Sequence, residues 1–86
     1  MKDRFELGSH LTYVLEAAVA KFSGEAKFEL NSVIAKVRRS AIQDRDEILD
    51  LLLAAADYYK EGDEEQAGRK LSAASRKLQS GIKWPN

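Results

Sequence analysis

Residues 44–78 read DRDEILDLLLAAADYYKEGDEEQAGRKLSAASRKL, and this stretch decides the fold. Its first half is acidic and strongly apolar, its second half is basic, and the short turn Lys60-Glu61-Gly62-Asp63 joins them. Gly62 suits the end of a helix because glycine adopts a left-handed backbone without steric cost. Asp63 suits the start of the next helix because its carboxylate accepts hydrogen bonds from free amides. The pattern therefore predicts two helices, over residues 45–61 and 64–80, folded into an antiparallel hairpin.

The two helices of this hairpin differ in the width of their apolar faces. The apolar face of the first covers more than a third of its circumference, so this helix is expected to lie centrally or at an oligomer contact. The second has a narrow seam in which small residues allow close helix packing. The wide face comprises Ile48, Leu49, Leu51, Leu52, Leu53, Ala55, Ala56 and Tyr59, and the seam comprises Ala67, Leu71, Ala74 and Leu78.

The first half of the chain is also helical in pattern. Apolar residues recur at three- and four-residue spacings, which predicts helices over residues 4–23 and 26–42. Gly24 is the expected end of the first helix. The apolar stripe of that helix comprises Leu7, Leu11, Val14, Leu15, Ala18 and Phe22, and the stripe of the second comprises Leu30, Val33, Ile34, Val37 and Ala41.

The junction between the second and third helices has two interpretations. Asp44 and Glu47 have the spacing of a capping box, which predicts a new helix start. The same polar run at residues 43–47 is also compatible with one exposed turn of a single helix over residues 26–61. Residues 1–86 are thus predicted to form one all-α domain, a compact three- or four-helix bundle with a C-terminal antiparallel hairpin. Trp84, in the tail, is expected to pack back onto the body.

Composition narrows the class of protein. The chain has 86 residues, 44% of them hydrophobic and 33% charged, with zero net charge and no cysteine. Disulfide frameworks and thiolate metal sites are therefore excluded. The sequence shows neither a secretory signal nor an apolar run of the ~20 residues that a membrane span requires. We therefore expect a soluble cytoplasmic protein with no membrane association.

The charges are unevenly distributed. Residues 44–65 have a net charge of −7, whereas residues 66–86 have a net charge of +5. Part of this asymmetry favours the helix dipoles, because acids begin the last helix and bases follow toward its end. The remainder indicates either pairing between adjacent helices or a bipolar surface for a partner.

Nothing in the sequence predicts an enzyme. The chain has one histidine, no Gly-x-Ser-x-Gly motif and no glycine-rich phosphate loop. Glu6 and His10 are four residues apart and are expected to form an exposed pair on the first helix, but two ligands do not make a metal site. We therefore predict no catalytic residue, no metal site and no cofactor.

The third helix offers the best candidate surface. An exposed tyrosine and leucine on an acidic helix are typical of a protein-binding surface, and the acids favour a basic partner. Tyr13 and Phe28 lie off the main stripes of their helices and are similar candidates. The sequence thus favours a non-enzymatic interaction module of the adaptor, chaperone or inhibitor type with a regulatory role. Its predicted partner-binding residues are Asp50, Leu53, Asp57, Tyr58 and Glu61.

Two other functions stay open. The first is nucleic-acid association through basic residues that converge on one surface, although zero net charge disfavours it. The second is a structural homodimer in which the wide apolar face of the third helix forms the subunit contact. The cations for nucleic-acid binding are Arg38, Arg39, Arg69, Lys70, Arg76 and Lys77.

The hairpin also has a general resemblance. From Ala54 to Ala74 it resembles the helix-turn-helix hairpin of tetratricopeptide-type and related helical-hairpin proteins. No second copy of a unit of about 34 residues is evident, so a repeat array is not predicted. The resemblance implies a hairpin and no particular function.

Overall fold

The computed structural model describes residues 2–80, with side chains described from Glu6 onward except that of Ser23. Within this range the chain forms four helices and no strands. They are α1 (Lys2–Val19), α2 (Ser23–Arg39), α3 (Arg45–Glu61) and α4 (Glu64–Ser80). The all-α prediction is confirmed, and the bundle has four helices. Trp84 lies outside the described residues.

The helices form a closed ring. Each of α1, α2 and α3 packs on the next helix, and α4 packs back on α1. Because the connections are short, neighbouring helices run antiparallel. The α1–α2 and α3–α4 turns therefore lie at one end of the bundle and the α2–α3 connection at the other. α1 and α3 occupy diagonal corners, as do α2 and α4.

The α3–α4 turn has the geometry that its sequence predicts. Gly62 adopts a left-handed conformation (φ 82°). Its N–H donates to the carbonyl of Tyr59 (3.1 Å), and the N–H of Asp63 donates to the carbonyl of Tyr58 (2.9 Å). Asp63 then caps α4, since its Oδ1 accepts a hydrogen bond from the N–H of Gln66 (3.1 Å). These bonds satisfy backbone groups at both helix ends and fix the hairpin.

The α1–α2 turn repeats this bonding pattern without a glycine. Lys21 holds the left-handed position (φ 65°). Its N–H donates to the carbonyl of Ala18 (3.1 Å), and the N–H of Phe22 donates to the carbonyl of Ala17 (2.9 Å). A non-glycine residue in this conformation costs roughly 1–2 kcal/mol because its Cβ approaches the following carbonyl. The turn therefore carries backbone strain at Lys21.

This turn corrects two expectations about the end of the first helix. α1 ends at Val19, so Phe22 leaves the apolar stripe and is 61% exposed. Gly24 does not end α1, because it lies in the first turn of α2. Both expectations were wrong because a lysine, which the sequence pattern does not mark, takes the left-handed position.

The α2–α3 junction is a true break. α2 ends at Arg39, earlier than expected, and Ser40 is extended. Asp44 directly precedes α3 but has a left-handed backbone (φ 63°) and makes no side-chain capping bond. Of the two interpretations, the structure thus shows the break and not one continuous helix. The capping box with Glu47 was wrong, because an N-cap residue normally needs an extended conformation. Ala41, expected in the apolar stripe of α2, lies in this connection and is exposed.

The core takes one narrow set of residues from each helix. On α3 the buried residues are Ile48, Leu52, Ala55 and Tyr59. Leu51 and Leu53, the neighbours of Leu52, are only half-buried and pack against the edge of the core. The wide apolar face of α3 is therefore largely covered by α2 and α4 within one chain. The other buried apolar residues are Leu7, Leu11, Val14, Ala17, Ala26, Leu30, Val33, Ile34, Val37, Ala67, Leu71, Ala74 and Leu78.

Tyr59 has a buried hydroxyl without a hydrogen-bond partner among the described residues. Burial raises the pKa of Tyr59 above 10.0, and the nearby carboxylate of Glu64 raises it further. An orphaned buried hydroxyl costs about 1–3 kcal/mol, so Tyr59→Phe is expected to stabilise the bundle by about 1 kcal/mol. Urea denaturation at neutral pH measures this gain.

The same substitution has a pH signature. Because folding raises the pKa of Tyr59, the native state keeps its proton longer than the unfolded chain does. This contribution to stability is present below pH 10.0 and declines as the pH rises past that value. The gain from Tyr59→Phe should therefore grow above pH 10. A destabilising Tyr59→Phe would show instead that the hydroxyl makes a favourable bond.

Candidate protein-binding surface

The outward side of α3 carries a line of carboxylates. Asp50, Asp57 and Glu61 are exposed and succeed one another at spacings of seven and four residues, which places them near one line along the helix. Among residues 6–80, no basic group forms an ion pair with any of the three. These acids are therefore free to attract a positively charged surface.

The two apolar residues predicted for this surface flank the acids on opposite sides. Leu53 and Tyr58 are both half-buried and pack against the core. Five residues separate them, which turns their side chains about 140° apart. Leu53 thus lies toward α2 and Tyr58 toward α4, with the line of acids between them on the outward side of the helix. The structure places the three predicted acids along one line and separates the two predicted apolar residues to its two sides.

Pairing inside the α3–α4 hairpin uses few of its charges. Lys77 Nζ lies 2.5 Å from Oε2 of Glu47 on α3, and the hydrogen bond to this carboxylate raises the pKa of Lys77. Arg69 pairs with Glu65 within α4 at 3.1 Å. Pairing across the hairpin therefore neutralises only a small part of the charge asymmetry.

The six cations considered for nucleic-acid binding do not form one patch. Arg38 and Arg39 are exposed near the end of α2, while the other four lie on α4 at the diagonal corner of the bundle. Arg69 and Lys77 are also engaged with carboxylates. The structure therefore does not bring these side chains to a common surface.

The outward side of α2 complements that of α3. Lys27 and Arg38 are exposed and eleven residues apart, so they lie near one line along the helix. Asn31 is exposed close to this line, and Ala35 and Phe28 are exposed about 70° and 90° farther around the helix. We call these five residues, together with Asp50, Leu53, Asp57 and Glu61 of α3, the α2–α3 face. The sequence indicated Phe28 as a partner-binding candidate and Arg38 only as a nucleic-acid cation. It did not indicate Lys27, Asn31 or Ala35, because exposed polar residues and alanine carry no signal of their own.

Large exposed apolar residues are concentrated in one region of the described chain. Tyr13 is 45% exposed, Val19 81%, Phe22 61% and Phe28 70%. All four lie between residues 13 and 28, around the α1–α2 turn. The Tyr13 hydroxyl donates to Glu25, and this bond is the main cause that raises the pKa of Tyr13. Val19 and Phe22 were not predicted to be exposed, because their exposure follows from the early end of α1.

His10 bridges two helices instead of pairing along one. Its Nε2 lies 2.5 Å from Oε2 of Glu29, and its Nδ1 lies 3.3 Å from Nζ of Lys36, both on α2. The expected exposed pair with Glu6 was wrong, because His10 lies on the edge of α1 that faces α2. In the described part of the chain, no three histidine, aspartate or glutamate side chains are grouped to hold a metal ion.

Comparisons with family models, curated proteins and solved structures gave no match to this chain. Among residues 2–80, none of the helices combines the length and apolar character needed to span a membrane.

Proposed function

We propose that this chain is a small protein-interaction module of the adaptor, chaperone or inhibitor type that binds a basic surface through the acidic side of α3. The observation that carries the proposal is the line of exposed, unpaired carboxylates at Asp50, Asp57 and Glu61. Unpaired like charges on one side of a small domain repel one another, and an oppositely charged partner relieves that repulsion.

Both charge and apolar contact would contribute to binding. The carboxylates steer a basic partner and set its orientation, which affects mainly the association rate. Leu53 lies beside them, already half-buried, and loses its remaining exposure when a partner covers it. Removing apolar area from water contributes about 25 cal/mol per Å², so the leucine supplies part of the affinity.

Reversal of the three acids tests this proposal. A chain carrying Asp50→Lys, Asp57→Lys and Glu61→Lys, called the acid-reversed chain, is expected to lose the proteins that the wild type retains from an extract of its host. Because these side chains are exposed and unpaired, the fold should persist, as circular dichroism checks. The control carries Glu6→Lys, Glu16→Lys and Glu64→Lys, which changes the net charge equally at exposed acids outside the α2–α3 face.

The outcome depends on the difference between these two variants. Loss of partners by the acid-reversed chain alone supports the proposal. Equal retention of partners by the wild type and the acid-reversed chain would contradict the proposal. Equal loss in both variants would also count against it, because net charge rather than this surface would then govern retention.

A further inference from the structure

The α2–α3 face carries both signs of charge on adjacent helices. Lys27 and Arg38 on α2 form no ion pair with any residue of the range 6–80, and neither do Asp50, Asp57 and Glu61 on α3. A basic line therefore lies beside an acidic line, and the exposed Lys60 of α3, which lines the groove between the two helices, adds one positive charge between them. The face thus contains the complement of its own acidic half.

The basic line on α2 and the acidic line on α3 have the same length and lie at the same level along the bundle. Asp50 and Glu61 are eleven residues apart, as are Lys27 and Arg38, so each line spans about 16 Å. Lys27 and Lys60 line the same small groove of about 100 Å³ between α2 and α3, which fixes them at one level of the bundle. Since the helices are antiparallel, Lys27 is level with Glu61, and Arg38 is level with Asp50.

We propose that a second copy of this chain docks on the α2–α3 face about a two-fold axis parallel to the helices. Such an axis keeps every residue at its own height and places α2 of each copy over α3 of the other. Lys27 then faces the Lys60–Glu61 end of α3 in the second copy, and Arg38 faces its Asp50. The contact is isologous and closed, so it produces a dimer and no filament. This proposal rests on the proposed function and names the partner of the acidic side of α3.

The centre of the face supplies the apolar contact. Ala35 on α2 is level with Leu53 on α3, so the proposed axis brings these two side chains together across the contact. Phe28 lies one residue from Lys27 and about 60° around the helix from Asn31. It is 70% exposed in the single chain, and the second copy removes part of that surface from water. The face thus has Ala35 and Leu53 between its charged ends and Phe28 at the Lys27 end.

The proposed arrangement differs from the homodimer that the sequence suggested. That idea relied on the surplus of leucines on α3, but most of these are covered by α2 and α4 within one chain. The structure instead assigns half of the contact to α2. Variants of α2 should therefore weaken the dimer as strongly as variants of α3.

Complementary charge reversal tests the proposal. Sedimentation equilibrium is run on the wild type, on the acid-reversed chain and on a base-reversed chain carrying Lys27→Glu and Arg38→Glu. The wild type should form dimers at low salt, and each reversed chain alone should dissociate at least about tenfold more readily, because α2 and α3 then carry the same sign. An equimolar mixture of the two reversed chains should restore dimers, since each then presents the charge that the other needs.

A matched pair of apolar substitutions provides a second test. Phe28→Ser should weaken the dimer at least about tenfold, because it removes apolar area from the contact. Phe22→Ser removes a similarly exposed phenylalanine at the end of the bundle and should leave dimerisation unchanged. Equal effects of the two substitutions would contradict the assigned face.

Three results of the charge-reversal experiment would overturn the proposal. These are a wild type that stays monomeric at millimolar concentration, an acid-reversed chain that dimerises as the wild type does, and a mixture of reversed chains that stays monomeric. If the chain is monomeric and the acid-reversed chain still loses partners from the host extract, the proposed function survives with a different basic partner. If acid reversal changes neither measurement, both proposals fail.

Discussion

Replacing Leu52 with alanine is expected to destabilise the bundle by about 3 kcal/mol, within the ~2–5 kcal/mol observed for such substitutions in protein cores. Leu52 is fully buried at the middle of α3, the helix that packs on both α2 and α4. Alanine leaves a cavity there, because neighbouring helices held by their own contacts relax only partly. For a domain of this size the loss corresponds to more than about 10 °C in Tm.

The adjacent leucine provides the matched control for this substitution. Leu53→Ala removes the same atoms one residue along the chain, but its side chain is half-buried, so a loss of about 1 kcal/mol is expected. Urea denaturation measured at dilute concentration and high salt separates folding from self-association. The slope of the unfolding free energy against urea should be the same for both variants. If Leu53→Ala proves the costlier of the two, the assigned register of α3 is wrong.

The second large effect is expected at the left-handed residues of the two turns. Gly62→Ala should destabilise the bundle by about 1–2 kcal/mol, since a Cβ at φ 82° is strained although no neighbouring atom obstructs it. Lys21→Gly should instead stabilise the bundle by about 0.5–1 kcal/mol, because it removes the same strain from the α1–α2 turn. The gain is smaller because glycine also increases the entropy of the unfolded chain.

Thermal unfolding of the two variants and of their combination measures these effects. The two turns connect different pairs of helices, so the two changes should be additive within about 0.5 kcal/mol. Gly24→Ala is the control for a glycine without left-handed geometry. It lies in the first turn of α2 with open space at its Cβ, so it should stabilise or leave stability unchanged. A stabilising Gly62→Ala would show that the α3–α4 turn does not require glycine.

The hairpin of α3 and α4 was the most predictable part of the fold because its signals are local. Gly62 and Asp63 each have a conformational preference that acts within a few residues, and both adopt the predicted role. The α1–α2 turn was mispredicted for the same reason. Lys21 has no intrinsic preference for a left-handed backbone and takes it because α1 and α2 must pack against each other, which is a requirement of the whole bundle.

The candidate site was likewise predictable from the sequence only in part. The exposure of Asp50, Asp57 and Glu61 follows from helical periodicity, because residues at their positions turn away from Leu52 and Tyr59. Which cations lie near these acids does not follow from periodicity. It depends on which helices pack next to each other in the ring. This packing places Arg38 on α2 away from the bases of α4.

By itself the sequence determined the helical class, the hairpin and the outward direction of the α3 acids, since each depends on spacing or on the conformational preference of single residues. It left the break before α3 as one of two interpretations. The tertiary structure alone decided that Tyr59 buries an unpaired hydroxyl, that His10 bridges to α2, and that Lys27 and Lys60 line one groove between α2 and α3. These relations join residues distant in the chain. They arise only when four apolar stripes are buried together, because that burial fixes which helices are neighbours and at what height.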